Sequence, residues 1–482
     1  MANQKLTIIL DINKTIVMAD PAGGQTEDDV CNSVLSEVAC GRIDDTSDPP
    51  RWHWAGGAVC PRHELADPTL VSYADFVHAR YADTPLVGME ENQLRKAARR
   101  RLKCRFTEPG MAGEGLRGAY TAMQRALRLP RGARAHPAAA AAGLADRATY
   151  FIVPAYFDLI TTLARCGANF NIQFASFGTD LPRVAREHDA YCAGAHPLSH
   201  GPRLDGTDAR CGRVDLRIGA RADARAALYR DAAAAALVLV TLEVPASRAA
   251  LPGGGSVTSS AAIAEWLLRA RASAVRHCYR HWRDSLEDAH AGNLVFLPCV
   301  AAAAAPTTRS ADALRTDKLS VDTLSASVLG DVPSADTPST AAASVGDALG
   351  ADAADADAMM STDAPRAARD GDSLNADTRG GGDLLSNDAR GCGSGGDCAH
   401  HVIVFDDGVE ADDAHIVDAR CARTGEALGF EAVRAQHLVR AEPFWVSTSG
   451  TGRDNYFIRE IAKRWCAGAA LLERIAELEV LQ

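Results

Sequence analysis

Short apolar runs rich in β-branched and aromatic side chains recur along this chain. Residues 6–10, 169–175, 237–244 and 402–405 are four such runs, and 294–297 is a shorter one. Runs of this length and composition predict buried strands. Segments of helical periodicity lie between them, so strands and helices alternate. This alternation is typical of an α/β fold with a doubly wound parallel sheet and helices on its faces.

Three amphipathic stretches predict the main helices of this core. Residues 155–166 place apolar side chains on one face and are followed by Gly167, a residue that commonly ends a helix. Residues 261–285 have a similar apolar face, which predicts one long helix. A last helix is predicted over 454–479.

A long segment of different character follows the first strand. Residues 23–149 contain four stretches of helical spacing, at 26–38, 69–82, 89–104 and 114–127, and few strand signals. We therefore predict a mostly helical insert within the α/β core.

A second long segment is low in complexity. Residues 300–399 consist mainly of Ala, Asp, Ser, Thr and Gly and contain no aromatic residue. Such a composition buries too little apolar surface to offset chain entropy, so we predict disorder here. The core is thus expected in three parts, 1–22, 150–299 and 400–482.

Composition and charge exclude several classes of function. The net charge of -11 and the absence of a long basic block argue against a nucleic-acid partner. No apolar stretch approaches the ~20 residues of a membrane span, and residues 6–10 are too short for a signal sequence. The 13 cysteines lack the spacing of a disulfide framework and fit free thiols, so we expect a cytoplasmic protein.

Three of the predicted strands end at polar side chains, which are Asp11, Ser176 and the pair Asp406 and Asp407. The carboxyl ends of parallel strands meet at one edge of a sheet, where α/β proteins bind ligands. A carboxylate at such a position can attack phosphorus, and adjacent carboxylates can hold Mg²⁺. A hydroxyl group and the backbone N–H groups of the strand-end loops can bind a phosphoryl group. The predicted phosphate contacts are Ile12, Asn13, Ser176 and Phe177.

These motifs together resemble the haloacid dehalogenase (HAD) superfamily. The first motif of that family is an apolar strand followed by Asp-x-Asp-x-Thr, and LTIILDINKT departs from it at one position. NIQFAS resembles the second motif and HVIVFDD the fourth, in the correct order along the chain. The resemblance implies a Mg²⁺-dependent phosphohydrolase with an aspartyl-phosphate intermediate and a cap formed by residues 23–149. It also implies that Asp11 is the nucleophile and that Ser176 binds the phosphoryl group.

The same resemblance implies a ligand set for the metal. Mg²⁺ is expected on the side chains of Asp11, Asp406 and Asp407 and on the main-chain carbonyl of Asn13. A further acid four or five positions later often supports the metal in this family, and Asp412 has that spacing.

The first departure from the family pattern lies at Asn13. The family has its general acid–base aspartate at this position, and an amide cannot transfer protons at neutral pH. General acid–base catalysis contributes about 10²–10⁴-fold in rate. Asn13 therefore predicts slow turnover, a substrate with a good leaving group, a substitute acid from the cap, or no catalysis.

The second departure concerns the lysine of the family's third motif. Only Lys318 lies between the third strand and Asp406, and it falls in the segment predicted to be disordered. Gly292-Asn293 resembles the Gly-Lys position with the lysine lost. The arginines of the 261–285 helix are alternatives, namely Arg276, Arg280 and Arg283.

Two other functions remain open from the sequence. The first is a catalytically inactive HAD-fold protein that binds a phospho-ligand or acts as a scaffold. The second is an interaction protein that binds a protein partner through 300–399. For the enzyme, the substrate is expected to be a phosphorylated small molecule or a phosphoprotein.

Overall fold

The computed structural model describes residues 4–21, 24–57, 59, 67, 69–84, 86–199, 201–219, 225–231, 236–241, 256–257, 259–277, 292–298, 400–409 and 417–480. The strands among them are β1 (Lys5–Asp11), β2 (Cys40–Asp44), β3 (Arg51–Trp54), β4 (Val71–Ser72), β5 (Asn169–Ser176), β6 (Arg225–Asp231), β7 (Ala236–Thr241), β8 (Ser256–Val257), β9 (Ala272–His277), β10 (Asn293–Leu297), β11 (His400–Asp406), β12 (Val417–Cys421) and β13 (Leu438–Arg440).

The helices in the same part of the chain are α1 (Glu27–Val38), α2 (Tyr73–Arg80), α3 (Met89–Cys104), α4 (Arg117–Leu127), α5 (Pro137–Ala141), α6 (Pro154–Arg165), α7 (Leu181–Cys192), α8 (Ser260–Arg269), α9 (Phe430–His437), α10 (Pro443–Ser447), α11 (Tyr456–Arg464) and α12 (Gly468–Val480). Short 3-10 turns occupy Glu114–Leu116, Ala133–Ala135, Ala209–Cys211 and Gly452–Asp454. All of these elements belong to the same compact unit.

The main sheet has eight strands in the order β13-β11-β1-β5-β9-β6-β7-β8. The first six are parallel to one another, and β7 and β8 are antiparallel additions at one edge. The chain leaves β1 toward β5 and later returns to its other side with β11. The sequence prediction of an α/β fold with a mainly parallel sheet is therefore confirmed.

Strand β1 is apolar on both faces because both faces of the sheet are covered. Leu6, Ile8 and Leu10 belong to one hydrophobic cluster, which extends into α6 and α7. Ile9 belongs to a second cluster with residues of β11, β12 and α9. A continuous apolar run, rather than an alternating one, is typical of such a buried parallel strand.

The insert shares the first of these clusters with the sheet. Side chains of α1, α2 and α4 pack in the same cluster as Ile8 and Leu10. Helix α1 begins with a capping box in which the Thr26 hydroxyl accepts from the Asp29 N–H and the Asp29 carboxylate accepts from the Thr26 N–H. The four predicted helical stretches of the insert are occupied by α1, α2, α3 and α4. A three-stranded antiparallel sheet of β2, β3 and β4 was not predicted.

Two predictions for the core are corrected by the structure. The long helix over 261–285 is wrong, because α8 ends at Arg269 and the chain then forms β9 inside the main sheet. The last predicted helix, 454–479, is divided into α11 and α12. Among the described residues, none of the helices is both long enough and apolar enough to cross a membrane.

Candidate active site

Three carboxylates meet at the carboxyl edge of the main sheet. Asp11 ends β1, Asp406 ends β11, and Asp407 follows it. One carboxylate oxygen from each residue lies within 4.8 Å of one from each of the other two. The next parallel strand, β5, lies on one side of β1, and β11 lies on the other side. Open α/β sheets bind ligands at such a change of direction. The structure thus brings the three acids named from the sequence together at one edge of the sheet.

Asp406 is held by hydrogen bonds on both of its oxygens. Its Oδ1 accepts from the Gly408 N–H at 2.8 Å, and its Oδ2 accepts from the Asn293 amide at 2.8 Å. Asn293 begins β10 and is buried. The Gly-Lys position of the sequence analysis therefore supplies an amide that orients an acid, rather than a cation.

Burial is the main reason why the pKa values of these three acids are raised. Burial raises the pKa of Asp11 well above its usual range, and the charges of Asp406 and Asp407 raise it further. Burial also raises the pKa of Asp406, and it raises that of Asp407 to about 7 although Lys14 opposes the shift. A bound cation would relieve this repulsion. Three carboxylates are hard oxygen ligands, so the donor set fits Mg²⁺.

The loop after β1 folds back on the Ile12 carbonyl. This oxygen accepts from the N–H groups of Ile16 and Val17 at 3.0 and 2.9 Å. The Ile12 N–H is directed to the Asp11 carboxylate. Two side-chain oxygens in the loop, Asn13 Oδ1 and Thr15 Oγ1, are buried and have no hydrogen-bond partner among the described residues.

Lys14 is a cation whose charge acts on Asp407. Its φ of 58° lies in the left-handed region, which non-glycine residues rarely adopt. Burial lowers its pKa, but the charges of Asp407, Glu37 and Asp20 outweigh this effect, and the net shift is upward. Lys14 was not among the candidates named from the sequence, although it directly follows Asn13.

The side chain of Asn13 is paired with a carboxylate outside the predicted motifs. Burial raises the pKa of Asp180, whereas Arg183 and a hydrogen bond from the Asn13 side chain lower it. Both residues lie close to Gly178, where an added Cβ would be 3.2 Å from Asp180 Oδ2 and 3.8 Å from Asn13 Nδ2. This pair was not predicted, because Asp180 follows β5 in a loop without a recognisable motif.

Ser176 ends β5 beside Asp11, as predicted. Its side chain is buried, and its Oγ accepts from the Gly178 N–H at 2.9 Å. Among the described residues, the Ser176 hydroxyl donates no hydrogen bond, so its proton can be donated to a ligand. Phe177 follows with its ring 5.8 Å from that of His277 on β9.

The cation candidates from the sequence have different outcomes. Arg276 lies on β9 opposite Ser176 and is exposed, rather than on a helix as predicted. Lys318, Arg280, Arg283 and Asp412 lie outside the described residues, as does the 300–399 segment.

A small cavity of about 30 Å³ adjoins Asp407. Glu37, Arg440 and Pro443 are among its lining residues. This volume is enough for about one or two water molecules.

Comparison of the chain with protein family models, with curated proteins and with solved structures finds no match.

Proposed function

We propose that this chain is a Mg²⁺-dependent phosphohydrolase of the HAD type. The observation that supports this most directly is the cluster of Asp11, Asp406 and Asp407 at the carboxyl edge of the sheet. Ser176 lies on the neighbouring strand at the same edge. The substrate would be a phosphorylated small molecule or a phosphoprotein.

In this proposal the metal is held by the three carboxylates and by the Asn13 main-chain carbonyl. Bound Mg²⁺ would offset the negative charge of the carboxylates and of the phosphate. Lys14 adds a fixed positive charge on the Asp407 side. The Ser176 hydroxyl would donate to a phosphoryl oxygen.

The reaction would proceed in two displacements at phosphorus. An Asp11 oxygen forms a bond to phosphorus as the ester P–O bond breaks, and the leaving oxygen takes a proton from water. Water then attacks the aspartyl-phosphate, which releases inorganic phosphate and restores the Asp11 carboxylate. Asn13 cannot move the proton in either step, so good leaving groups are favoured.

The test is hydrolysis of p-nitrophenyl phosphate by the wild type, Asp11→Asn and Asn13→Asp. We expect slow Mg²⁺-dependent release of nitrophenol by the wild type, none by Asp11→Asn, and faster release by Asn13→Asp. The Asn13→Asp substitution restores a carboxyl group that can transfer protons. General acid–base catalysis of this kind raises the reaction rate about 10²-fold or more. Absence of activity in all three folded proteins would contradict the proposal.

The second candidate is a catalytically inactive protein that binds a phospho-ligand on the same site. Asn13 favours it, because the amide leaves the metal-binding acids in place and removes the acid–base group. The two candidates differ in one result. A binding protein would be stabilised against unfolding by Mg²⁺ and phosphate together, without turnover of any ester.

A further inference from the structure

An open cleft of about 520 Å³ adjoins the segment between β1 and α1. Its lining includes Gln25, Arg147, Phe151 and Arg183. The volume falls in the range of small-molecule sites. Ligands of the size of a substituted phenyl ring would fit within it.

Two sets of contacts link residues that line this cleft to residues of the candidate active site. Gln25 pairs through its backbone with Asp20, and the Asp20 carboxylate acts electrostatically on Asp11. Arg183 stands one helical turn after Asp180, the partner of the Asn13 side chain. A substrate with its phosphate at Asp11 would therefore extend its leaving group toward the cleft.

Two arginines converge on one aromatic ring in the cleft. The guanidinium carbon of Arg183 is 4.0 Å from the centroid of the Phe151 ring, and that of Arg147 is 5.4 Å from it. Burial lowers the pKa of Arg147, and the charge of Arg183 lowers it further. The charge of Arg147 is offset by Glu27, which accepts a hydrogen bond from it, so Arg183 is the guanidinium group left for an anionic ligand.

The two acids that line the cleft already accept hydrogen bonds from neighbouring side chains. Glu27 accepts from Arg147 and, at 2.6 Å, from the Thr149 hydroxyl. Asp28 accepts from the Tyr120 hydroxyl at 3.0 Å and from the Gln124 amide.

Arg183 has no such partner at bonding distance. Within the described residues its side chain makes no hydrogen bond or ion pair, and it is exposed on the first turn of α7. Asp180 attracts it only electrostatically. Its five donors are thus available to a ligand in the cleft.

We infer that the cleft binds the leaving group of the substrate and that Arg183 recognises a second anionic group on it. The substrate class is an organic phosphate whose alcohol part carries a carboxylate or another phosphate. This inference rests on the proposed function. Phe151 would contact the apolar part of the same leaving group.

The test compares phosphate release from phenyl phosphate and from 4-carboxyphenyl phosphate. The wild type is expected to have a kcat/KM about tenfold higher for the carboxylated ester, through a lower KM, because a charge-assisted hydrogen bond has roughly this effect. Arg183→Gln should bring the ratio of the two values close to one, and Arg183→Lys should restore part of it. A third ester, 1,4-phenylene bisphosphate, tells a preference for phosphate from one for carboxylate.

Arg186→Gln is the matched control. Arg186 lies on the same helix, but its side chain donates to the carbonyls of Ala140 and Ala141. This variant should keep the wild-type ratio. A wild-type ratio near one for both anionic esters, or a ratio that survives Arg183→Gln, would overturn the inference.

Calorimetric binding to Asp11→Asn in Mg²⁺ separates this inference from the proposed function. The variant needs no turnover to report a preference between the two esters. A preference for the carboxylated ester that Arg183→Gln removes would support the cleft even if no ester is hydrolysed. Equal affinity for the two esters would contradict the inferred role of the cleft, whether or not any ester is hydrolysed.

Discussion

At the scale of single residues, the pair Asn13 and Asp180 is the clearest departure from a simple phosphatase site. The amide at position 13 faces a carboxylate three residues beyond Phe177. A carboxylate introduced at position 13 alone would meet Asp180, and two adjacent carboxyl groups cannot both ionise easily. The single substitution Asn13→Asp is therefore expected to capture only part of the gain.

Exchange of the two side chains tests this pair. Asn13→Asp combined with Asp180→Asn keeps an amide opposite a carboxylate but places the carboxylate in the loop after β1. We expect the double variant to accelerate hydrolysis of an alkyl phosphate at least about tenfold more than that of p-nitrophenyl phosphate, because poor leaving groups depend most on an acid. The measurement is kcat/KM for both esters, with Asp180→Asn as the control. Equal changes for the two esters would show that position 13 has no role in proton transfer.

At the scale of elements, β11 has an acid of the candidate site at its carboxyl end and histidines at its amino end. Its last residue is Asp406, and its first residues are His400 and His401. The His401 ring stacks on that of His437 at 4.8 Å, and His437 Nδ1 donates to the Val402 carbonyl at 2.7 Å. Burial and the neighbouring His437 lower the pKa of His401 to about 4, and burial lowers the pKa of His437.

These histidines predict a loss of stability in acid. Each is protonated more readily in the unfolded chain, near pH 6.5, so its contribution is complete above that pH and is lost as the pH falls toward 4. A shift of the size found for His401 corresponds to roughly 3 kcal/mol. We expect the urea midpoint of the wild type to fall across this range and that of His401→Gln to fall less. His53→Gln, on the exposed face of β3, is the control, and identical pH slopes in wild type and His401→Gln would contradict the prediction.

The wrong prediction of one helix over 261–285 shows a limit of local sequence patterns. Residues 272–277 are rich in alanine and continue the helical spacing of α8, so local preference favours a helix. In the fold they pair with β5 and β6 inside the sheet. Strand preference depends on packing against neighbours, and those neighbours are distant in sequence.

At the scale of the whole molecule, the order of the strands brings together residues that are almost 400 positions apart. Apolar runs ending in Asp11, Ser176 and Asp406 could be recognised from sequence because a buried parallel strand leaves a strong local signal. Lys14, Asp180 and Arg183 could not, because loop conformation and helix placement determine where their side chains lie. The acids proposed to hold the metal were thus predictable from the sequence, whereas the groups proposed to transfer protons and to bind the leaving group were not.

The aspartyl-phosphate itself is the most direct test of this chemistry. Because Asn13 cannot act as a base toward water, the intermediate on Asp11 should persist longer than in an enzyme with an acid at that position. Acid quenching of the wild type during turnover of ³²P-labelled p-nitrophenyl phosphate, whose leaving group needs no acid, should therefore trap a labelled protein. The label should be released by hydroxylamine, map to Asp11 and be absent from Asp11→Asn. Phosphate release without a labelled protein, or a label that persists in Asp11→Asn, would contradict the assignment of Asp11 as the nucleophile.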